Sequence, residues 1–198
     1  MKARRTHAEM TAETRANLLT AARRAFAAEG YAETSMDTLC DDAGVTRGAL
    51  YHHFGSKKAL LEAVVREIDS EIGTHLDRHY QTIEDPWEAF CACNVEYLRL
   101  ALNPEIQQIW LKDAPAVLGQ RMREIDEESS IAPLIEAIED LIKKQRMVAC
   151  DPETVARMLN GALIDAALWI AAADDPTAKF ELASESFRLL MRGLERQA

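Results

Sequence analysis

The sequence predicts an all-α protein of about nine helices, and its composition gives three reasons. Glycine and proline are few, eight and six in 198 residues. Long stretches are instead rich in Ala, Leu, Glu, Arg and Met, which are strong helix formers. No alternating run of β-branched residues of useful length is present, so strands are not expected. With 48% apolar and 28% charged residues, the chain has the composition of a packed globular protein rather than a disordered one.

The first predicted helix covers about residues 12–29. Residues 1–10 precede it and have the composition of a loose basic arm. Thr11 is the expected N-cap, and Gly30 lies just past the expected end, where a left-handed residue is common. The apolar positions of this segment fall on one helical face and predict its packing side.

Two short helices around a small glycine turn are predicted next. Thr34 and Asp37 have the spacing of an acidic capping box, which begins the first of them. Gly44 can end that helix in the left-handed conformation. Thr46 is placed to cap the second helix, at about residues 47–53. Two short helices joined in this way form a helix-turn-helix.

The rest of the chain predicts further helices, starting with one capped by Ser56. Three Asp-Pro pairs and one Asn-Pro pair mark helix starts, because a capping side chain precedes a proline at the first helical position. Pro115 indicates another start, and Ser130 and Pro133 indicate a restart. The expected helices cover about residues 57–80, 86–102, 104–112, 115–129, 130–146, 152–173 and 177–196.

The charge distribution divides the chain into two parts. The net charge of −10 is unusual for a DNA-binding protein. Residues 1–60 carry nine basic against seven acidic side chains, a balance of +2, which leaves −12 for the remainder. A basic head on an acidic body is the pattern expected when only the head meets a polyanion. We therefore expect a helix-turn-helix DNA-binding domain at residues 1–60 and a separate helical domain at residues 61–198.

The second short helix carries the side chains expected of a DNA-reading helix. Small residues at its leading end, Gly48 among them, let the backbone approach a major groove. Arg47 can bond bidentately to guanine, and Lys57 begins the next helix where an anion is favoured. The expected outward side chains are Thr46, Arg47, Tyr51 and His52. The alternative is a helical hairpin that serves as a protein–protein adaptor without sequence-specific DNA binding.

Residues 11–60 resemble the DNA-binding head of tetracycline-repressor (TetR) type regulators. The segments that match are Ala21–Phe26, Gly30–Tyr31, Thr34–Met36 and Gly44–Leu61, with the specific pattern Leu50-Tyr51-x-His53-Phe54-x-Ser56-Lys57. The resemblance implies a homodimer that binds a palindromic operator in double-stranded DNA. It also implies DNA contacts from Thr46, Arg47, Gly48, Tyr51, His52 and Lys57, and backbone contacts from Thr34 and Ser35. The leading hypothesis is a repressor that a small-molecule effector releases from its operator.

The acidic body matches less closely. The segments 109–119 and 161–170 resemble one branch of the same family. The last two helices are rich in alanine with continuous apolar stripes, so two copies could form a four-helix dimer interface. A largely apolar effector needs apolar walls with few polar groups. The candidates for that pocket are Trp87, Phe90, Asn94, Tyr97, Trp110, Met122, Met158, Asn160, Asp165 and Trp169.

The sequence shows no catalytic or metal-binding pattern, so neither enzymatic activity nor a cofactor is expected. His52 and His53 are adjacent on a helix and chelate poorly together, as do Cys91 and Cys93 at two-residue spacing. His75 and His79 have a spacing that can bind a metal, but no third ligand is identifiable. No secretory leader and no run of about 20 apolar residues is recognised, so the expectation is a cytoplasmic protein without a membrane segment.

Overall fold

The computed structural model describes residues 6–197, and within this range the chain is all-helical. Part of the predicted basic arm lies outside the described residues. Nine helices are present from residue 6 to 197, as expected, and the one extended pairing there is a bridge between Met147 and Glu195. The helices are α1 (His7–Glu33), α2 (Met36–Ala43), α3 (Arg47–Phe54), α4 (Lys57–Gln81), α5 (Pro86–Leu100), α6 (Ile106–Asp113 and Ala114–Leu118), α7 (Gln120–Asp126, Glu127–Ile131 and Ala132–Lys143), α8 (Pro152–Ala171) and α9 (Pro176–Met191).

Helices α1 to α3 and the start of α4 form the head. They pack around fully buried apolar side chains, with Phe26, Leu39 and Leu50 at most 1% exposed. Gly44 ends α2 with φ 66°, the left-handed conformation predicted for the turn. Thr46 begins α3 as predicted, accepting a hydrogen bond from the Ala49 N–H at 3.2 Å.

Two predicted caps of the head are wrong. Helix α1 begins at His7, five residues earlier than expected, at a capping box between Thr6 and Glu9. Helix α2 is capped by Ser35, not Thr34, because the Ser35 hydroxyl accepts from the Thr38 N–H at 3.4 Å. The Thr34 hydroxyl is instead buried and donates to the Gly30 carbonyl oxygen at 2.8 Å. Helix α1 kinks at Gly30, with φ 79°, and continues to Glu33 rather than ending there.

All four proline-containing helix starts of the body are confirmed; after Asn103 residues 104 and 105 are helical, and the Asn103 side chain accepts from the Glu105 N–H at 2.9 Å. Asp85, Asp151 and Asp175 each accept hydrogen bonds from backbone N–H groups of the first turn. These bonds satisfy donors that have no partner inside the helix. Ser56 caps α4 in the same way, accepting from the Ala59 N–H at 3.1 Å.

The two predicted helices around residues 115–146 are divided differently in the structure. The break falls at Gly119, with φ 58°, and the chain is then helical from residue 120 to 143. Pro115 and Pro133 lie in the first turn of α-helical segments, Ala114–Leu118 and Ala132–Lys143, as predicted. Each segment continues without a break from a π-helix, Ile106–Asp113 or Glu127–Ile131. A proline ring clashes with the carbonyl four residues earlier in a regular α-helix, and the wider turn before it relieves that clash.

The body surrounds α5, which packs against α4, α8 and α9. Helix α6 lies against α1, α4 and α8, so it touches both the head and the body. Contrary to the sequence-based expectation, α8 is long and apolar enough to cross a membrane by length and composition alone. One of its faces packs inside the protein, with Leu163, Ala167 and Ile170 buried.

Candidate DNA-binding surface and ligand cavity

The leading end of α3 presents the predicted DNA-reading side chains to solvent. All five predicted positions on or beside this helix are exposed, and Tyr51 is 44% exposed. The helix starts at an exposed N-terminus, where backbone N–H groups favour an anion. The five positions are Thr46, Arg47, Gly48, Tyr51 and His52. The structure thus places these side chains on one exposed surface of the head.

Arg47 has partners of its own within the head. Its Nη1 lies 3.1 Å from a carboxylate oxygen of Asp37 in α2, and both side chains are more than half exposed. A hydrogen bond with Tyr51, together with the charge of Asp37, raises the pKa of Arg47. The role of Asp37 was missed from the sequence, where it was assigned only to a capping box. Contact with DNA would have to replace this pairing.

The other three predicted DNA contacts differ in exposure. Lys57 is half-buried, with Nζ 4.6 Å from the ring centre of Tyr31 and 3.3 Å from the Ala32 carbonyl oxygen. Ser35 is exposed at the start of α2. Thr34 is only 4% exposed and its hydroxyl is already bonded, so its side chain is not presented to a ligand.

A cavity of about 410 Å³ lies in the body. Its walls come from α4, α5, α7 and α8, with Trp110 contributed by α6. Five of the predicted pocket residues line it: Phe90, Asn94, Tyr97, Trp110 and Asn160. The other lining residues are Asp69, Ser70, Ile72, Gly73, Leu76, Asp77, Tyr80, Cys93, Ser129, Ser130, Pro133, Leu134, Ala137 and Leu163.

The other five predicted pocket residues do not line this cavity. Trp87 is buried in the core beside Phe90, and Met122 is half-buried outside the cavity. Met158, Asp165 and Trp169 lie on the exposed outer face of α8. Residue type predicted apolar surroundings for most of these positions, but not which helical face turns toward the cavity.

The α4 wall of the cavity was missed from the sequence entirely. It supplies Asp69, Leu76 and Tyr80 among others. The signal was present as two aspartates, Asp69 and Asp77, eight residues apart on a helix with several buried positions. Eight residues is close to two helical turns, so the two carboxylates share a face.

Some polar side chains at the cavity already form hydrogen bonds within the protein. Asn160 donates from Nδ2 to the Asp126 carboxylate at 2.8 Å, and Asn94 donates from Nδ2 to the Phe90 carbonyl oxygen at 2.8 Å. Burial raises the pKa of both Asp69 and Asp126. Burial also raises the pKa of Tyr97 to about 12, so its hydroxyl remains protonated at neutral pH.

The histidine and cysteine pairs form no metal site in the described residues. His75 bonds Glu96 at 2.9 Å, and no group of three potential ligands is present from residue 6 to 197. Burial raises the pKa of Cys91 to about 12 and that of Cys93 to about 11. Both thiols are therefore protonated at neutral pH, which makes them poor nucleophiles and poor metal ligands.

Helix α6 connects the cavity wall to the head. Trp110 lines the cavity, and Asp113, one turn later, accepts a hydrogen bond from the Tyr31 backbone N–H at 2.7 Å. The same carboxylate oxygen accepts from Gln108 at 3.1 Å. Close packing accompanies these bonds, since a Cβ added at Gly30 would lie 2.9 Å from the Gln108 amide nitrogen.

A second connection between head and body is ionic. Arg23 of α1 bonds Glu71 of α4 through Nη1 at 2.7 Å and Glu105, ahead of α6, through Nε at 2.8 Å. The guanidinium makes two hydrogen bonds to each carboxylate. Bidentate pairs of this kind fix orientation as well as distance.

Helices α8 and α9 share an exposed apolar surface. It includes side chains that are large and 41–70% exposed. The two helices pack against each other, and in each the exposed apolar positions lie on one helical face. Soluble monomers rarely expose a contiguous apolar patch of this kind without a binding role. The residues are Met158, Leu168, Trp169, Leu182, Leu189 and Leu190.

Two family models match the chain. The model described as "Bacterial regulatory proteins, tetR family" matches residues 18–64, and "Tetracyclin repressor-like, C-terminal domain" matches residues 87–194. The Transposon Tn10 TetC protein of Escherichia coli is 28% identical over 150 residues, which is 73% of this chain and 74% of that protein. The HTH-type transcriptional regulator TtgR of Pseudomonas putida is 44% identical over 70 residues, 35% of this chain and 33% of TtgR.

Solved structures match over the whole fold. The crystal structure of a TetR-family transcriptional regulator from Pectobacterium atrosepticum is 44% identical, with a TM-score of 0.86, and covers 98% of this chain and 99% of that one. RolR, solved with the ligand resorcinol, has a TM-score of 0.71 at 21% identity, covering 95% of this chain and 90% of its own. At that identity the likeness to RolR concerns the fold alone.

Proposed function

This chain belongs to the TetR family of helix-turn-helix transcriptional regulators, and we propose that an effector in its cavity controls operator binding by α3. Regulators of this family bind DNA operators and small-molecule ligands, are dimers, and are typically non-enzymatic. The observation that carries the proposal is the course of α4. One unbroken helix begins at Lys57 in the head and supplies Asp69, Leu76 and Tyr80 to the cavity wall.

In this proposal α3 enters the major groove of the operator by its leading end. The Arg47 guanidinium leaves the Asp37 carboxylate and binds the edge of a base. Guanine suits it, because a guanidinium can donate to two guanine acceptors at once. Tyr51 and His52 lie one turn further on, within reach of phosphates or base edges. Ser35 and Lys57 meet the phosphate backbone at the rim. Thr34 is left out of this set because its buried hydroxyl is bonded to Gly30.

The dimer forms through the exposed apolar surface of α8 and α9. Two helices from each protomer then make a four-helix interface, which is a common solution for apolar helical faces. The division into a DNA-binding domain (1–60) and an effector-binding and dimerisation domain (61–198) belongs to the same proposal, with α4 running through the boundary. A regulator of this kind works in the cytoplasm, where the DNA is.

Effector binding shifts the population between two separations of the heads. A ligand that fills the cavity displaces α4 and the Trp110 side of α6, and Asp113 and Arg23 transmit the movement to α1. The ligand favours the DNA-incompetent state only to the extent that it binds that state more tightly. The result is repression by occupancy, relieved by effector.

The first test is selection of bound duplexes from a random DNA pool at near-physiological salt. Enrichment of an inverted repeat is the expected outcome, because two symmetric heads read two half-sites. A steep fall in affinity with salt should accompany it. If folded protein enriches no sequence, the proposed reading by α3 fails and the helical-adaptor alternative gains support.

A further inference from the structure

The geometry points to an organic cation as the occupant of the cavity: an amphiphilic amine with its charged head near Asp69 and its apolar body among the aromatic walls. This inference rests on the proposed role of the cavity as the effector site and names the chemical class of that effector. Three features of the cavity carry it: the aromatic rings, the sign of the lining charge, and an unused buried acceptor.

Aromatic rings come from three sides of the cavity. Tyr80 belongs to α4, Phe90 and Tyr97 to α5, and Trp110 to α6. Such rings bury an apolar body well, and their π-faces also attract a cation within about 6 Å of the ring centre. A cavity of about 410 Å³ falls within the size range of pockets that bind drug-sized molecules.

The charged side chains that line the cavity are both acidic. Among the described residues that line the cavity, Asp69 and Asp77 are carboxylates, and none is lysine, arginine or histidine. Asp126 lies just behind the wall, bonded to Asn160. Burial raises the pKa of Asp69 and of Asp126 because their ionised forms lose hydration there. A cation in the cavity would offset that loss, whereas an anion would add to it.

The nearest arginines offset this charge only in part, because both also pair with other carboxylates. Arg66 lies near Asp69 but is paired with Glu62 at 3.4 Å and Glu128 at 3.6 Å. Arg157 lies near Asp126 and is paired in the same way with two other glutamates. Each guanidinium therefore bonds carboxylates outside the cavity, although Glu62 is shared with Arg121 at 2.7 Å. Burial still outweighs the arginines at Asp69 and Asp126, so a cationic ligand would compensate charge that the protein leaves incompletely compensated.

Asn94 supplies an acceptor that the fold leaves unused. Its side chain lines the cavity and is 6% exposed. The amide nitrogen is committed to the Phe90 carbonyl oxygen, which fixes the orientation of the amide. No hydrogen bond to the Asn94 Oδ1 is formed by the described residues, yet that atom is not sealed from open space. A buried residue with an accessible, unbonded acceptor suits an ammonium N–H.

The test is isothermal titration of the full-length protein with matched sets of three probes. Within one set, biphenylbutylamine, biphenylbutanol and biphenylpentanoic acid share a biphenyl body on a chain of four methylenes and differ in the head group and its charge. Naphthyl and anthracenyl sets repeat the comparison with smaller and larger bodies. The amine is expected to bind at least about tenfold more tightly than the alcohol, and the acid most weakly.

Two variants test whether the preference for the amine arises in the cavity. Asp69→Asn is expected to weaken amine binding about tenfold and to leave alcohol binding within about twofold. Glu67→Gln is the matched control, because it removes one carboxylate from an exposed position of the same helix outside the cavity. It should leave all three affinities unchanged.

Each outcome has a distinct meaning. If the alcohol or the acid binds as well as the amine and Asp69→Asn has no effect on the amine, the cation inference is overturned and the cavity remains an effector site. If no member of any set binds to folded protein, both the inference and the proposed role of the cavity are overturned.

Discussion

Arg47 illustrates at the scale of one residue how the free protein differs from a DNA complex. In the free head it is paired with Asp37, and both are exposed, so the pair contributes little to stability. The pair can therefore be exchanged for DNA at small cost. The sequence predicted that Arg47 faces outward but not its partner, because contact between two helices depends on their packing angle.

Substitutions at Arg47 and Lys57 should have different signatures. Arg47→Ala is expected to lower operator affinity and to relax base preference at one position, a loss of about 1–3 kcal/mol in discrimination. Lys57→Ala should weaken all duplexes about equally and reduce the salt slope by about 1. Competition titrations with single-base variants of the selected operator measure both. A changed base preference in Lys57→Ala would contradict the roles assigned here.

We expect the ionised carboxylate of Asp69 to lower the free energy of unfolding at neutral pH. Burial raises its pKa above the 3.8 of an unperturbed carboxyl, so the folded state holds this proton to higher pH than the unfolded chain. The free energy of unfolding then falls as pH rises through that window. Asp69→Asn is expected to raise Tm at pH 7 by up to about 3 °C.

The gain should shrink as the pH is lowered, and disappear below 3.8, where the wild-type carboxyl becomes protonated in both states. Glu67→Gln, on the exposed side of α4, serves as the control and should show no such pH-dependent gain. Thermal melts of the three proteins across this pH range give the comparison. A lower Tm for Asp69→Asn at pH 7 would show that its carboxylate stabilises the fold instead.

At the scale of helices, capping residues and prolines predicted most helix starts. They did not predict features that depend on how the helices pack together. Thr46, Ser56 and the Asp-Pro pairs predicted helix starts correctly, because a cap depends on residues within one turn. Pro115 and Pro133 marked starts of α-helical segments, but the sequence did not predict the π-helical turns that join these segments to the helix before them. Half of the predicted pocket residues reach the cavity, because apolar character alone does not say which face of a helix turns inward.

Helix α6 gives a specific prediction about communication between cavity and head. Asp113→Ala removes the acceptor for the Tyr31 N–H and leaves that donor without its partner. Stability should fall by about 1–3 kcal/mol. Effector affinity should stay within about twofold, while the factor by which effector weakens operator binding should drop severalfold.

Fluorescence anisotropy of labelled operator, with and without effector, measures that factor. Lys112→Ala is the matched control, because this neighbour on α6 is exposed and carries no cavity-lining atom. Should Asp113→Ala retain the full effector response, the path through α6 would be wrong, and α4 alone would have to carry the change.

At the scale of the whole molecule, operator recognition depends on two heads held at a fixed separation. The apolar surface of α8 and α9 is the expected dimer interface. Leu182 and Leu189, seven residues apart on α9, are 56% and 65% exposed. The sequence predicted this interface from apolar stripes. The exposed Met158 and Trp169, predicted for the pocket, lie on the same pair of helices.

Charges placed in this surface should separate the protomers. The double variant Leu182→Glu and Leu189→Glu is expected to sediment as a folded monomer and to bind operator at least about a hundredfold more weakly, since the two heads no longer act together. Met10→Glu, an exposed apolar position on α1, should leave the dimer intact. A dimer that persists in the double variant would place the interface elsewhere.

The most direct test of the account is whether operator and effector weaken each other. The ligand is any compound whose binding is lost in Ala137→Trp, a substitution that fills the cavity. Its Kd is measured by calorimetry for the protein alone and for the protein saturated with operator. The account predicts binding at least about tenfold weaker with operator present, matched by an equal loss of operator affinity with ligand present. Equal ligand affinity in both states would contradict it.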